Sequence, residues 1–179
     1  MTVSTTSISK STSGNGSATS FPYDYKILEA SDLQVIIRSA TGAETIKATS
    51  TYTVTGVGAD SGTIVFNSSN VPASGETVVV TRNVLQTQAI DYIANDPFPA
   101  ETHEEGLDRA TMVIQQVSGD ADRSIKISKT NTIGSTEFTT SAADRANKVL
   151  SFDSTGELAV TQELGTFKGN SATTTTAAY

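Results

Sequence analysis

At 179 residues, with 36% hydrophobic, 6% aromatic and 17% charged residues, the chain can bury one modest core, and serine and threonine stand where a soluble domain would usually carry charge. A net charge of −7, with 12 basic residues scattered singly, excludes the clustered Lys and Arg surface that nucleic acid demands. Cysteine is absent, which rules out a disulfide framework, a thiolate metal site and a cysteine nucleophile, and which suits synthesis in a reducing cytosol.

Residues 1–20 are mostly Ser, Thr, Gly and Asn, and apart from Met1 only Val3 and Ile8 are sizeable aliphatics. They lack the apolar core of a signal peptide, and no run in the chain approaches the roughly 18 apolar residues of a membrane span. Ordering the arm costs on the order of 1–2 kcal/mol per residue, against at most about 2–3 kcal/mol for each buried aliphatic. The expectation is an arm that is flexible alone and orders only against a partner surface.

Residues 21–93 change to short β-rich runs, among them Leu33 to Arg38, Thr51 to Val57, Thr63 to Phe66 and Glu76 to Arg82. Tyr52 and Val54 alternate with threonines, the period of a strand with one buried face, whereas Val78, Val79 and Val80 form the continuous run of a sandwich core strand. Glycines at 42, 56, 58, 62 and 75 divide the runs, so the spacing predicts a small antiparallel sandwich.

Residues 94–118 predict a helix over about 102–117. Thr102 and Glu105 have capping-box spacing, and Glu101, Glu104 and Glu105 complement the positive end of the helix dipole. His103, Leu107, Ala110, Ile114 and Val117 then recur at alternating steps of four and three, the narrow seam of a coiled coil, which needs partner helices. Gly106 interrupts the helix at about 1 kcal/mol relative to alanine; a close backbone approach or a tolerated accident would each account for it. Ser118 and Gly119 suggest its end.

Over 119–164, Ile125 and Ile127 alternate with polar residues as in a short strand, and Val149 to Phe152 and Glu157 to Val160 flank Asp153-Ser154-Thr155-Gly156, a four-residue hairpin connection. An isolated two-stranded hairpin is marginal in water, so this part is expected to rest on other copies of the chain. Residues 165–179, with four consecutive threonines at 173–176, have the character of a linker to a region beyond.

Candidate chemistry is thin. His103 is the sole histidine, and Leu107 stands where a zinc-protease motif would place its second one, so no catalytic or metal role follows. Glu101, Glu104, Glu105 and Asp108 are read as a solvated face, with Glu105 and Arg109 as an ordinary i,i+4 ion pair worth about 0.3–0.5 kcal/mol. Gly56 to Gly62 has the wrong spacing for a phosphate loop and reads as a turn, and Asp120-Ala121-Asp122 lacks the later ligands of a calcium loop. Neither a cofactor nor a metal is expected.

The run Asp91-Tyr92, Asp96-Pro97-Phe98-Pro99-Ala100-Glu101 and Gly106-Leu107-Asp108-Arg109, followed by Met112 and Gln115-Gln116, strongly resembles the N-terminal virion-anchoring region of tail fibres and tailspikes of short-tailed, podovirus-type and autographivirus-like bacteriophages. Further pieces occur in the same order: Tyr23 to Val35, Tyr52 to Gly56, Val80-Thr81-Arg82, and Arg145 to Leu150 before Phe152-Asp153 and Gly156. They cover about residues 21–160, and 165–170 look like the lead into the next module of such fibres. The resemblance implies a mainly β fold with one helix in a trimeric bundle, so that Leu107, Ile114 and Val117 lie near a trimer axis. It implies a structural virion protein without enzymatic activity of its own, assembled as a homotrimer and fastened to tail adaptor, nozzle or tube proteins. Contact with a bacterial receptor would fall to distal domains, and insertion into a membrane is not expected. Two other readings stay open: the anchor of a polysaccharide-degrading tailspike whose catalytic part lies beyond residue 179, and a bacterial surface adhesin module.

Overall fold

The computed structural model describes residues 2–163 apart from 89, 92–98 and 138, with the backbone alone for 161–163. The expected linker at 165–179 and Pro97 and Phe98 before the helix lie outside the described residues. Two compact units divide between Ser124 and Ile125.

The first unit is a sandwich carrying a helix. In chain order its strands are β1 (Ser9–Ser13), β2 (Ser20–Tyr23), β3 (Leu33–Arg38), β4 (Glu44–Ile46), β5 (Tyr52–Thr55), β6 (Gly62–Phe66) and β7 (Thr77–Arg82). One antiparallel sheet has the order β1-β7-β3-β4 and the other β2-β6-β5. Alternation decides which side chains face inward: Leu33, Val35 and Ile37 of β3, Val78 and Val80 of β7, and Ile64 and Phe66 of β6 are buried in one core. Val79, in the middle of the continuous valine run, is only half-buried, so β7 is a one-faced core strand.

Aromatic residues close this core. Phe66 meets Phe21 and Tyr52 edge-on at centroid distances of 5.6 and 6.0 Å. The buried phenols are satisfied, since Tyr23 donates to the carbonyl of Thr55 at 2.6 Å and Tyr25 to that of Val80 at 2.8 Å. Gly62, paired with Tyr23 across β2 and β6, leaves room for that ring; a Cβ there would collide with the phenol.

The N-terminal arm departs from expectation. Residues 9–13 are strand β1, paired in register with β7 from Ser9 opposite Thr81 to Ser13 opposite Thr77. The polar sequence concealed it because backbone hydrogen bonds to an exposed β7 edge, rather than buried side chains, hold this strand.

Helix α1 (Ala100–Asp122) is also longer than expected. It starts with Pro99 at the N-cap and no side-chain cap, so Thr102 and Glu105 lie inside the first turns and form no capping box. Proline at the boundary supplies a preset φ but no side-chain acceptor for the first-turn N–H groups. At the other end Ser118 and Gly119 continue the helix to Asp122, and Gly119 lies against the tip of the Ile8 side chain.

The second unit comprises a short helix α2 (Ala142–Arg145) and an antiparallel pair, β8 (Lys148–Phe152) and β9 (Leu158–Glu163). The hairpin connection forms as expected. The Asp153 carboxylate accepts from Thr155 N, Thr155 Oγ1 and Glu157 N, and Gly156 takes a φ of 85°. The strand expected at Ile125 and Ile127 does not form: these residues are coil, and Ile125 is 97% exposed, having no strand edge to pair with.

Candidate assembly interface

Helix α1 has two faces of different chemistry. Toward the sandwich it presents Asp108, Arg109, Met112, Gln115, Gln116 and Gly119, a helical stripe in which Met112 is the fully buried apolar contact. The rest of the stripe docks through polar groups. Lys26, which leads out of the core aromatics, reaches Asp108 at 2.5 Å with both side chains almost fully enclosed. Arg109 pairs with Glu29 at 3.2 Å and Asp32 at 3.7 Å, both near the 3₁₀ turn at Ala30–Asp32. Gln116 accepts from the backbone N–H of Val84 at 2.8 Å. Arg82, at the end of β7, donates to Gln115 at 2.7 Å while its guanidinium lies 5.3 Å from the Tyr25 ring centroid. Burial lowers the pKa of Arg82, and Tyr25 and Asp32 oppose that shift.

These contacts correct the solvated-face expectation at Asp108, whereas Glu101 and Glu105 are exposed as expected. Asp108 is buried and ion-paired, and Arg109 uses its nearer contacts on the sandwich; its i,i+4 partner Glu105 is 3.9 Å away. Composition could not signal this, because an Asp-Arg pair in an acidic helix start looks like surface. Asp108, Arg109, Met112 and Gln115-Gln116 are among the helix residues that carry the resemblance, together with Ala100, Glu101, Gly106 and Leu107.

The opposite face holds the five expected seam residues together. His103, Leu107, Ala110, Ile114 and Val117 are all exposed, Leu107 by 57%, Ile114 by 68% and Val117 by 51%. Beside them Leu85 and Ile90 from the segment after β7 join Gly106, Leu107 and Ile114 in lining an open apolar groove. Gly106 is half-buried at this groove, so the absence of a side chain widens it. Large aliphatics in a row on a solvent-facing helix are unfavourable unless another surface covers them. The arrangement offers adhesion and no obvious chemistry; among the described residues no group of three or more His, Asp or Glu is arranged to hold a metal ion.

The second unit has its own apolar strip. Leu150 and Phe152 of β8 are exposed and stand opposite Val160 and Leu158 of β9 on one face of the ribbon.

Comparison with known proteins agrees with the resemblance read from the sequence. Over 120 residues, 65% of this chain, the sequence is 41% identical to the tail spike protein of Salmonella phage epsilon15. The match spans 11% of that protein, so the chain corresponds to a small part of the length of its curated relative. No family model matches the chain.

Proposed function

We propose that this chain, similar to a phage tail spike protein over most of its length, is the anchoring part of a trimeric tail spike or fibre and fastens it to the virion tail. Phage tail ancestry is supported by the 41% identity, and the small share of the relative that is matched suits a part with one task within a larger protein. The observation that carries the trimeric element is the outer face of α1. Its Leu107, Ile114 and Val117 lie exposed at coiled-coil spacing, on a helix whose other face is already bound. Covering the half to two thirds of each side chain that is exposed contributes about 1–2 kcal/mol, repeated in every copy. Two heptads alone are marginal, so the hairpin of the second unit, with Leu150 and Phe152 exposed, adds a further self-association surface.

In this account the chain's role is attachment, energetically that of an obligate interface in which apolar burial between copies does most of the work. Tail adaptor, nozzle or tube proteins are the partners for the sandwich, and host recognition or polysaccharide cleavage belongs to distal sequence. Between fibre and spike, the match to a tail spike favours the spike. The test is competition: virions stripped of their spikes are incubated with this chain and then with intact spike protein. The chain is expected to bind the tails and block restoration of infectivity, and full restoration in its presence would refute anchoring.

A further inference from the structure

Residues 3–8 run alongside α1 before the chain enters β1, and their contacts are made largely by the main chain. The N–H of Val3 donates to Asp108 at 3.1 Å, and the carbonyl of Thr5 accepts from Gln115 Nε2 at 3.0 Å. The carbonyl of Ser7 accepts from Arg82 Nη2 at 3.1 Å, and that of Ile8 from the backbone N–H of Arg82 at 2.7 Å. Val3, Thr5 and Ser7 are half-buried while Ser4 and Thr6 are exposed, the alternation of an extended segment lying on a surface. Its last side chain, Ile8, occupies the place that a Cβ on Gly119 would need. The contacts on α1 are thus spread from residue 108 to residue 119, about three turns of helix.

We propose that residues 3–8 are a strap that holds α1 against the sandwich, so that the N-terminal arm positions the helix rather than acting as a loose tether. Three features make it specific. Arg82 binds the strap and Gln115 at once, which ties arm, sheet and helix through one side chain. Asp108 accepts from both Val3 and Lys26, so the strap completes the most buried ion pair of the helix interface. Gly119, unfavourable in a helix interior, is retained where Ile8 must fit. Because main-chain groups carry most of the contacts, the Ser and Thr content of the segment does not weaken it.

Two variants of the full chain test the strap: deletion of residues 2–8, and Gly119→Leu, which displaces Ile8 while raising helix propensity. Hydrogen exchange, read by peptide mass spectrometry, is compared in α1, β3 and β7. Exchange in α1 is expected to accelerate by at least about tenfold in both variants, with β3 and residues 77–80 of β7 within about twofold of the unaltered chain, the Arg82 amide being left out because its acceptor is the Ile8 carbonyl. Unchanged α1 exchange in either variant would overturn the strap. So would acceleration of β3 and β7 together with α1 in Gly119→Leu, since the arm would then belong to the global core.

Discussion

Residues 2–124 and residues 125–163 are built from the same kind of Ser- and Thr-rich sequence, yet only the first has an interior. The first unit closes two sheets over Tyr23, Tyr25, Ile64, Phe66 and their neighbours, whereas the second leaves Ile125, Leu150 and Phe152 in solvent. Strands pair in both units, so hydrogen bonding does not separate them; the number of layers does. A two-stranded ribbon has nowhere to bury its apolar face, while two sheets bury each other's. The difference separates a unit with a core of its own from one without.

The largest effects belong to the first unit. Lys26→Ala leaves Asp108 as a charge inside the helix interface and is expected to cost about 3–5 kcal/mol in urea unfolding. Replacing the pair together, as Lys26→Met with Asp108→Leu, should recover much of that loss, since the pair's own net contribution is small. Failure of the double variant to recover would mean that the pair is worth more than its desolvation.

Two phenylalanines set the units against each other directly. Phe66, 3% exposed, should lose about 3–5 kcal/mol on truncation to alanine. Phe152, 69% exposed, should change the stability of a dissociated chain by less than about 0.5 kcal/mol. Equal losses at dilutions where the chain is monomeric would erase the distinction.

Opposite pH limits follow on a smaller scale. Burial pushes the Tyr23 phenol up to about 12 and also raises Tyr25 and Tyr52. A phenol whose folded pKa exceeds its unfolded value stabilises fully below the unfolded value, near 10, and that stability is lost as pH rises through the folded value. The first unit should therefore loosen between about pH 10 and 12, while residues 125–163 contain no tyrosine. In the hairpin, the Thr155 hydroxyl and then the turn amides hold Asp153 below the usual carboxylate range. Its contribution is present above that range and lost as pH falls through the folded value. Fluorescence of the tyrosines and chemical shifts of the hairpin amides, followed from neutral pH to alkali, would show the first unit loosening while the hairpin stays unchanged; a common alkaline transition would contradict the division.

Legibility followed the range of the interactions, and both units contain legible elements. Alternation at Leu33 to Ile37, the glycine-bounded turns and the Asp153 to Gly156 connection are local and were visible in the residues. So was the 103–117 seam, because its spacing is a helical period, although what covers it is not a property of one chain. Strand β1 and residues 3–8 were hidden, since their hydrogen bonds come from the backbone and their partners lie some 70 to 110 residues away. Asp108 and Arg109 were misread for a related reason: an ion pair buried against Lys26, Glu29 and Asp32 looks like a surface pair until the sandwich is placed beside it. The cap at Thr102 failed because proline had already set the start of the helix.

The central claim, that three copies meet along the outer face of α1, is tested most directly by the molar mass in solution from light scattering coupled to size exclusion. The 179-residue chain is expected to elute at the mass of three copies, and Leu107→Asp with Ile114→Asp at the mass of one, with the strand content of the sandwich unchanged. A trimer that survives both aspartates, or an unaltered chain that is monomeric at tens of micromolar, would contradict it.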